Sequence, residues 1–312
     1  MFIYNDVEGD SSNDSDHWAF MAAHYDKTSN KTKGIVAFIH YQISTDTTHI
    51  LRPSDLAGAP DATFQIQPGE PMAKNDISSL KYFPIKPNMV EISPLGTGLI
   101  IHTGRTWWKN NSTSGTWFDG PHIWPLDFDW KTAPPMRIAQ DETHSGWAFD
   151  KNGNEVFINQ DNRRDLLSAT YISGKNKGYQ LNSDLSGLLS KGTIDIAKHR
   201  DFGWSNGFHF GKMPLSKKGW VFINTYSNSK SDTHESDWAS DQLILMELKP
   251  IDQRPIIWRI IPNYNHYSGD YRDEAPAAIN HFGNRIYINT NWGSHKNPQE
   301  VYVIELPNNW EK

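Results

Sequence analysis

Short apolar runs separated by turn-forming residues dominate the chain, and they predict β-strands rather than helices. Mid-chain, the turn Asp150–Asn154 joins the run Trp147–Phe149 to the run Glu155–Asn159. The run Leu166–Ile172 follows, and Tyr179–Leu181 is a fourth candidate strand. Runs of this length bounded by Gly, Asn and Asp are typical of antiparallel hairpins. This part of the chain is therefore predicted to form a four-stranded antiparallel sheet.

The second strand of this sheet recurs along the chain. Each copy has three apolar residues followed by a polar one, and the copies lie at residues 2–5, 99–102, 156–159, 221–224 and 286–289. The polar residue is Asn in four of the five copies. A repeated four-strand unit is the signature of a β-propeller, whose blades bury their faces against their neighbours. An irregular β-sandwich also has alternating strands, but it does not predict the same polar residue after the same strand, so we favour the propeller.

These repeats predict an all-β chain that forms a single β-propeller domain over residues 1–312, built from four-stranded antiparallel blades. About five blades are expected, at residues 1–51, 89–139, 144–181, 209–261 and 274–308, with a Pro-, Gly- and Ala-rich insertion at 52–88.

The two end blades are predicted to be incomplete. Phe2–Asn5 is assigned as a second strand, so the first blade lacks its innermost strand, and the last blade ends after its third strand. Two explanations stay open. The terminal strands complete one another around a five-bladed ring, or the chain is the C-terminal portion of a longer propeller. We favour the second, because a missing inner strand leaves an unpaired ladder beside the central channel.

Composition excludes several classes of function. The net charge is −6 with no long basic run, which argues against nucleic acid as a partner. No apolar run approaches the ~20 residues of a membrane span. The absence of cysteine excludes disulfides and thiolate metal sites. Thirteen tryptophans, together with loops rich in amides and hydroxyls, suit sugar binding, since indole faces stack on pyranose rings.

An acidic segment near the start is a weak candidate for a divalent cation such as calcium. It lies in a predicted connection over residues 6–33, where Asp6, Glu8 and Asp10 offer oxygen ligands. The spacing departs from an EF-hand loop, because Ser11 stands at the glycine position and His17 at the closing glutamate position. A solvated acidic loop is the favoured interpretation.

Candidate chemistry comes from the register of the repeats. The connections on one face of the predicted propeller are long and those on the other face are short, so binding residues are expected on the elaborated face. Counting back from each hairpin glycine reaches Met89, His144, His209 and Glu274, which are predicted to open the innermost strands at the rim of the channel. Two histidines and a glutamate at one register are a candidate site for proton transfer or metal binding.

Two longer strings carry a family resemblance. THSGWAFDKNGNEVFINQDNR at residues 143–163 and DEAPAAINHFGNRIYINTNWG at residues 273–293 resemble the repeat of TolB-type propellers. That repeat is shared with propeller-fold polysaccharide lyases such as oligogalacturonate and ulvan lyases. The pattern also resembles uncharacterised secreted bacterial propellers that run longer at the N-terminus. The resemblance implies a secreted or periplasmic protein, with the export signal outside this chain, and a polysaccharide or oligosaccharide as partner.

The resemblance implies cleavage of uronate-containing glycans by β-elimination. This reaction needs a group that neutralises the uronate carboxylate, a base for the C5 proton and an acid for the leaving oxygen. The candidates for neutralisation are Arg163, Arg164 and Arg272; those for the base are His144 and His209; those for the acid are Tyr226 and Tyr271; and Glu274 completes the catalytic set. Candidate sugar-binding residues are Arg105, Trp107, Trp108, Trp238 and Tyr271. The alternatives are a non-catalytic module that binds a glycan or a protein, and a structural subunit of an extracellular assembly.

Overall fold

The computed structural model describes most of the chain. The described residues are 2–3, 10–26, 31–51, 87–103, 120–126, 136–139, 144–161, 165–173, 192–204, 206–227, 237–265, 274–294 and 297–311. The chain divides into two compact units. Unit 1 comprises Met1–Glu142 with Tyr179–Ser190, and unit 2 comprises Thr143–Gly178 with Lys191–Lys312. The single domain over residues 1–312 stays a prediction.

Unit 1 contains two antiparallel sheets. Sheet 1 comprises β1 (Phe2–Ile3), β2 (Asp10–Ser11), β3 (His17–Asp26), β4 (Lys31–Gln42) and β5 (Thr47–Leu51). Its order is β1-β3-β4-β5, and β2 also pairs with β3. Sheet 2 comprises β6 (Pro87–Ile92), β7 (Gly98–Thr103), β8 (Gly120–Pro125) and β9 (Met136–Arg137), in that order.

Unit 2 contains three antiparallel sheets, each ordered as in the sequence. Sheet 3 comprises β10 (Ser145–Phe149), β11 (Glu155–Asp161), β12 (Leu166–Tyr171) and β13 (Thr193–Lys198). Sheet 4 comprises β14 (Asn206–Phe210), β15 (Trp220–Ser227), β16 (Gln242–Glu247) and β17 (Ile257–Pro262). Sheet 5 comprises β18 (Ala277–Ile279), β19 (Arg285–Thr290) and β20 (Glu300–Glu305). Short 3-10 helices lie at His199–Phe202, Leu215–Lys217 and Ile251–Gln253.

The predicted fold class is confirmed. The regular elements of the described residues are strands and 3-10 helices, and the sheets are antiparallel meanders of the kind that form propeller blades. The second and third strands carry the core of unit 2, since β11, β15 and β16 are buried along their whole length. Strands buried on both faces need continuous apolar runs, and the repeated three-residue runs supply them.

The strand assignment in the first blade was wrong. Phe2–Ile3 is an edge strand that pairs with Ala22 and Ala23, and the second strand is β3, inside the segment predicted as an acidic connection. β2 pairs with the same strand at Trp18 and Ala19. β1 and β2 thus together occupy the first strand position, so the described sheet has no missing inner strand.

The fourth strand of the third blade was also assigned wrongly. The strand paired with β12 is β13, with Ala169 opposite Ile194, whereas the sequence pointed to Tyr179–Leu181. Residues 179–181 lie outside the described part of the chain. β13 has the sequence TIDIAK, a short apolar run interrupted by Asp195 and ended by Lys198, which gives a weak strand signal. The fourth strands of sheets 2 and 4 and the three-stranded last sheet are confirmed.

One polar side chain closes the first hairpin of four sheets. Ser93 Oγ accepts hydrogen bonds from the Thr97 and Gly98 N–H groups, and Ser12 Oγ accepts one from the His17 N–H. Asp150 and Asn280 accept two backbone hydrogen bonds each in the corresponding turns. These bonds satisfy turn N–H groups that the strand ladder leaves unpaired. They explain why Ser, Asp or Asn recurs immediately before each turn.

Candidate active site

Four of the predicted catalytic residues come together in unit 2. His144 directly precedes β10, His209 lies in β14, Tyr226 lies in β15, and Glu274 lies three residues before β18. His144, His209 and Glu274 therefore lie in or just before the first strands of three consecutive sheets. Tyr226 comes from the second strand of the middle sheet. Residues separated by 130 positions in the sequence share a single cluster, as the repeat predicted.

The rings of this cluster stack on one another. His144 and His209 have ring centroids 4.7 Å apart with planes inclined by 22°. Tyr226 lies against both imidazoles, with centroids 5.0 Å from His209 and 6.0 Å from His144. Glu274 Oε2 lies 3.1 Å from His209 Nε2. A carboxylate, two imidazoles and a phenol thus meet within van der Waals or hydrogen-bonding distance.

Two glycines allow these side chains to approach. A Cβ built on Gly146 would lie 2.4 Å from Phe210 Cβ, so β10 and β14 come closer there than side chains on both strands permit. Gly207 pairs with Tyr226 across β14 and β15, and a Cβ on it would lie 2.2 Å from the Tyr226 Cζ atom. The tyrosine ring therefore lies directly over the neighbouring backbone.

A buried asparagine fixes the backbone beside Glu274. Asn224 is fully buried and is the register partner of His209. Its Nδ2 donates to the carbonyl oxygen of Ala275, at 2.5 Å, and Ala275 has φ 50°, a left-handed conformation that is unfavourable for alanine. This contact ties the second strand of sheet 4 to the residue after Glu274.

A carboxylate lies beside the His209 imidazole. Glu274 Oε2 is 3.1 Å from His209 Nε2, an ion-pair distance at which the two atoms are not aligned for a hydrogen bond. The His209 side chain is 21% exposed and that of Glu274 is 10% exposed, so the pair is reached from solvent through the histidine. An imidazole that is partly exposed and has a carboxylate neighbour is suited to accept a proton.

The same residues also fit a divalent metal ion. One ligand atom from each of His144, His209 and Glu274 lies within 4.8 Å of the other two. Two imidazoles and one carboxylate are the donor set of catalytic zinc and of other first-row transition metals. Calcium prefers six to eight oxygen ligands, so this donor set does not suit it.

The register prediction was close but not correct in detail. Met89 faces His102 and His209 faces Asn224, but the residue that faces Asn159 is Ser145, one position after His144. In sheet 5 the Asn289 N–H donates to the Pro276 carbonyl, two positions after Glu274. His144 and Glu274 lie just before their strands and His209 lies within β14, and their three side chains still meet. Met89 belongs to unit 1.

Of the remaining predicted site residues, the structure describes Trp238 and the backbone of Asp10. Trp238 packs on Phe202, with ring centroids 5.2 Å apart, and donates from Nε1 to the Asp201 carbonyl. Asp10 belongs to β2, and its side chain is outside the description. The other predicted residues lie outside the described part of the chain: Asp6, Glu8, Arg105, Trp107, Trp108, Arg163, Arg164, Tyr271 and Arg272.

Sequence reasoning missed two residues that support the site. Asn224 was recognised as the polar residue of the repeat. Its hydrogen bond to Ala275 could not be predicted, because the sequence of one strand does not show which residue of the neighbouring sheet it contacts. Gly207 lies two residues before His209 in an apolar strand, where a glycine without a turn indicates close backbone approach.

Unit 1 contains a second histidine cluster, which differs in its partners. His17 Nδ1 lies 3.0 Å from His40 Nε2, and the rings stack at 5.2 Å. The His40 ring also stacks on His49 at 5.6 Å. Burial, followed by the neighbouring charges of His17 and His49, lowers the pKa of His40 from 6.5 to about 4.

No family model matches the chain, and a search of curated proteins finds no match either. Among solved structures, the chain is similar to an oligogalacturonate lyase from Vibrio parahaemolyticus, with a TM-score of 0.49, 6% identity, and coverage of 98% of this chain and 66% of the lyase. The chain thus spans about two-thirds of the lyase's length.

Two other solved structures show the same kind of similarity. A protein of Agrobacterium tumefaciens described as TolB has a TM-score of 0.43 and 11% identity, with 96% of this chain and 76% of that chain covered. The β-propeller domain of the Trilobed protease from Pyrococcus furiosus has a TM-score of 0.37 and 10% identity, with 96% and 80% covered. Among the described residues, no helix has the length and apolar character needed to cross a membrane.

Proposed function

We propose that this protein is a carbohydrate-active enzyme that cleaves uronate-containing glycans by β-elimination, with its active site at His144, His209, Tyr226 and Glu274. The observation that carries the proposal is the convergence of these four side chains, in which a carboxylate lies 3.1 Å from one imidazole and a phenol stacks on it. Groups of these types, held in contact and partly exposed, are what a proton-transfer site requires.

The roles follow from the partners of each residue. His209, with the Glu274 carboxylate 3.1 Å from its ring, accepts the proton from C5 of the uronate. The electrons of that C–H bond form the C4=C5 double bond, and the C4–O bond breaks. Tyr226 is buried to 4% exposure and lies over His209, and its phenol supplies the proton to the leaving oxygen. His144 stacks on His209 and holds it in place.

Removal of the C5 proton also requires that the uronate carboxylate be neutralised. Arginine suits this task because a guanidinium binds a carboxylate in a bidentate manner, and Arg163, Arg164 and Arg272 remain the candidates. Arg272 precedes Glu274 by two positions in the sequence. If a divalent cation is bound, His144, His209 and Glu274 would hold it, and it would supply this positive charge. His209 would then be a ligand of the ion and not the base.

The test is incubation with a panel of polygalacturonate, alginate, hyaluronan and a glucuronate-containing heteroglycan, with and without added Mn²⁺ or Zn²⁺. Cleavage by β-elimination creates an unsaturated uronate, which absorbs in the ultraviolet. We expect absorbance to grow on at least one polymer, together with new reducing ends. New reducing ends without absorbance would point to hydrolysis instead, and no product on the whole panel would contradict the proposal.

A further inference from the structure

We propose that the exposed rings of Tyr264 and Trp292, together with the partly buried ring of Tyr302, form a sugar-stacking subsite beside the active site. Trp292 is 54% exposed and Tyr264 is 46% exposed, which is unusual for large rings that contact each other. Their centroids lie 4.8 Å apart, and Trp292 stacks on Tyr302 at 5.0 Å. We call these three residues the aromatic platform. This inference rests on the proposed function, because it assigns a binding place for the same glycan.

The backbone of the platform is strained. Tyr264 has φ 53° and Trp292 has φ 52°, in the left-handed region where bulky residues are outliers. Such conformations persist only where the surroundings hold them, and they cluster at ligand-binding sites. Here the strain presents two aromatic rings to solvent instead of burying them, so stability of the fold does not account for it.

A single buried hydroxyl holds both strained residues. Thr290 Oγ1 donates to the Tyr264 carbonyl at 2.9 Å and accepts from the Trp292 N–H at 3.2 Å. Thr290 is 1% exposed, so these bonds are protected from water. Asn265 Oδ1 adds a bond from the Asn291 N–H at 3.2 Å. The rings are therefore pre-organised, and a ligand that stacks on them loses little affinity to ordering.

The support of the platform continues to the active site. The Asn265 N–H donates to Asn263 Oδ1, and Asn263 Nδ2 reaches Asn224 Oδ1 at 3.3 Å. Asn224 in turn bonds the carbonyl of Ala275, the residue after Glu274. In sheet 5 the Asn289 N–H donates a hydrogen bond to the Pro276 carbonyl. The residues just before β18 therefore lie opposite the last residues of β19. Glu274 and Trp292 thus extend from the same end of one hairpin.

The chemistry of the platform fits a pyranose ring. The axial C–H bonds of one sugar face carry partial positive charge and lie well against the negative face of an aromatic ring. A hydroxyl and a carboxylate lie at the platform, because Tyr302 Oη donates to Glu300 at 2.8 Å. Three contacting rings with these two polar groups offer both the stacking faces and the hydrogen-bonding groups that a sugar residue needs.

The test measures binding separately from cleavage. The binding measurement uses the His209→Ala variant, in which the proposed base is absent and turnover is blocked. Each native gel contains one polymer of the panel, and slower migration of the protein in that gel reports binding. We expect at least one polymer to retard it, and the added substitution Trp292→Ala to weaken that binding about tenfold, the equivalent of about 1.4 kcal/mol. Thr290→Val keeps the shape and removes the hydroxyl, so it should weaken binding by a smaller factor.

The matched control is Phe282→Ala. Phe282 is 69% exposed and lies in the turn at the opposite end of β19, so its removal should leave retardation unchanged. Three results would overturn the inference. The first is that Trp292→Ala leaves retardation unchanged, and the second is that Phe282→Ala weakens binding as much as Trp292→Ala does. The third is that no polymer retards the protein. The binding and cleavage results can also differ. If Trp292→Ala weakens binding but the wild type forms no unsaturated product, the subsite is supported and only the proposed reaction is rejected.

Discussion

Both units contain stacked histidine rings, but the rings have different neighbours. In unit 1, His40 Nε2 lies 3.0 Å from His17 Nδ1, so an imidazole is the partner of an imidazole. In unit 2, the partner of His209 is the carboxylate of Glu274 at 3.1 Å. Two imidazoles in one hydrogen bond share one proton, and a second proton is repelled. In unit 1 a carboxylate lies farther off, with Asp16 Oδ2 3.7 Å from His17 Nε2. The immediate neighbours of the rings, rather than the histidines themselves, therefore distinguish the two clusters.

Exposure sharpens this contrast. His40 is 3% exposed within sheet 1, where the strands on either side cover it. The His209 side chain is 21% exposed and faces a cluster drawn from three sheets. The ring of His209 is therefore open to solvent in part, whereas the central ring of the first cluster, His40, is closed off.

The largest expected effect is on turnover. Replacement of the proposed base by His209→Ala should lower the rate of unsaturated-product formation by about 10²–10⁴-fold, the usual contribution of general acid–base catalysis. The matched substitution in the other cluster, His49→Ala, removes an exposed ring and should leave the rate unchanged. The measurement is ultraviolet absorbance with a polymer that the wild type cleaves. Equal rates for wild type and His209→Ala would remove this residue from the mechanism.

The second effect is on metal affinity. Titration calorimetry with metal-stripped protein should show one Zn²⁺ or Mn²⁺ bound per chain, and Glu274→Gln should weaken it by at least about tenfold, because the amide oxygen is a neutral and poorer ligand. His17→Ala in unit 1 should not change the affinity. If both variants bind as the wild type does, the three donors of unit 2 do not form the metal site.

The sequence predicted this cluster better than it predicted the strands around it. His144, His209 and Glu274 were found because the hairpin glycines gave a common starting point for counting. The errors of one and two positions in register did not matter, since side chains of neighbouring sheets converge over several positions. Tyr226 was expected in the connection that follows the repeated strand, and the structure places it within β15.

The first blade shows why the rest was not predictable. Phe2–Asn5 has the same pattern as the repeat, so it was given the place that β3 occupies. Pairing decides between two such segments, and pairing depends on residues far away in the sequence. The bond from Asn224 to Ala275 was hidden for the same reason, because it joins two sheets.

The third effect concerns the close packing under Tyr226. Gly207→Ala would place a methyl group 2.2 Å from the ring carbon Cζ, so the ring must move. Overpacking of this kind costs about 1–3 kcal/mol of unfolding free energy, and the displaced phenol should also slow turnover. Urea unfolding measures the cost. The double variant Gly207→Ala with Tyr226→Ala tests the cause, since the two losses should be less than additive if the ring is what the methyl group strikes.

The smallest expected effect is the acid sensitivity of unit 1. The pKa of His40 is lowered from 6.5 to about 4 by burial and then by the charges of His17 and His49, with Asp16 acting in the opposite direction. Between these pH values the unfolded chain binds a proton at this position and the folded chain does not. The unfolding free energy should therefore fall as the pH is lowered from 6.5 towards 4, by about 1–2 kcal/mol after solvent screening. His40→Gln keeps a hydrogen-bonding group without the titration, so its unfolding free energy should fall less over this range, as measured by urea unfolding at each pH. An identical decline in both proteins would assign the acid sensitivity to other groups and would weaken the distinction between the two histidine clusters.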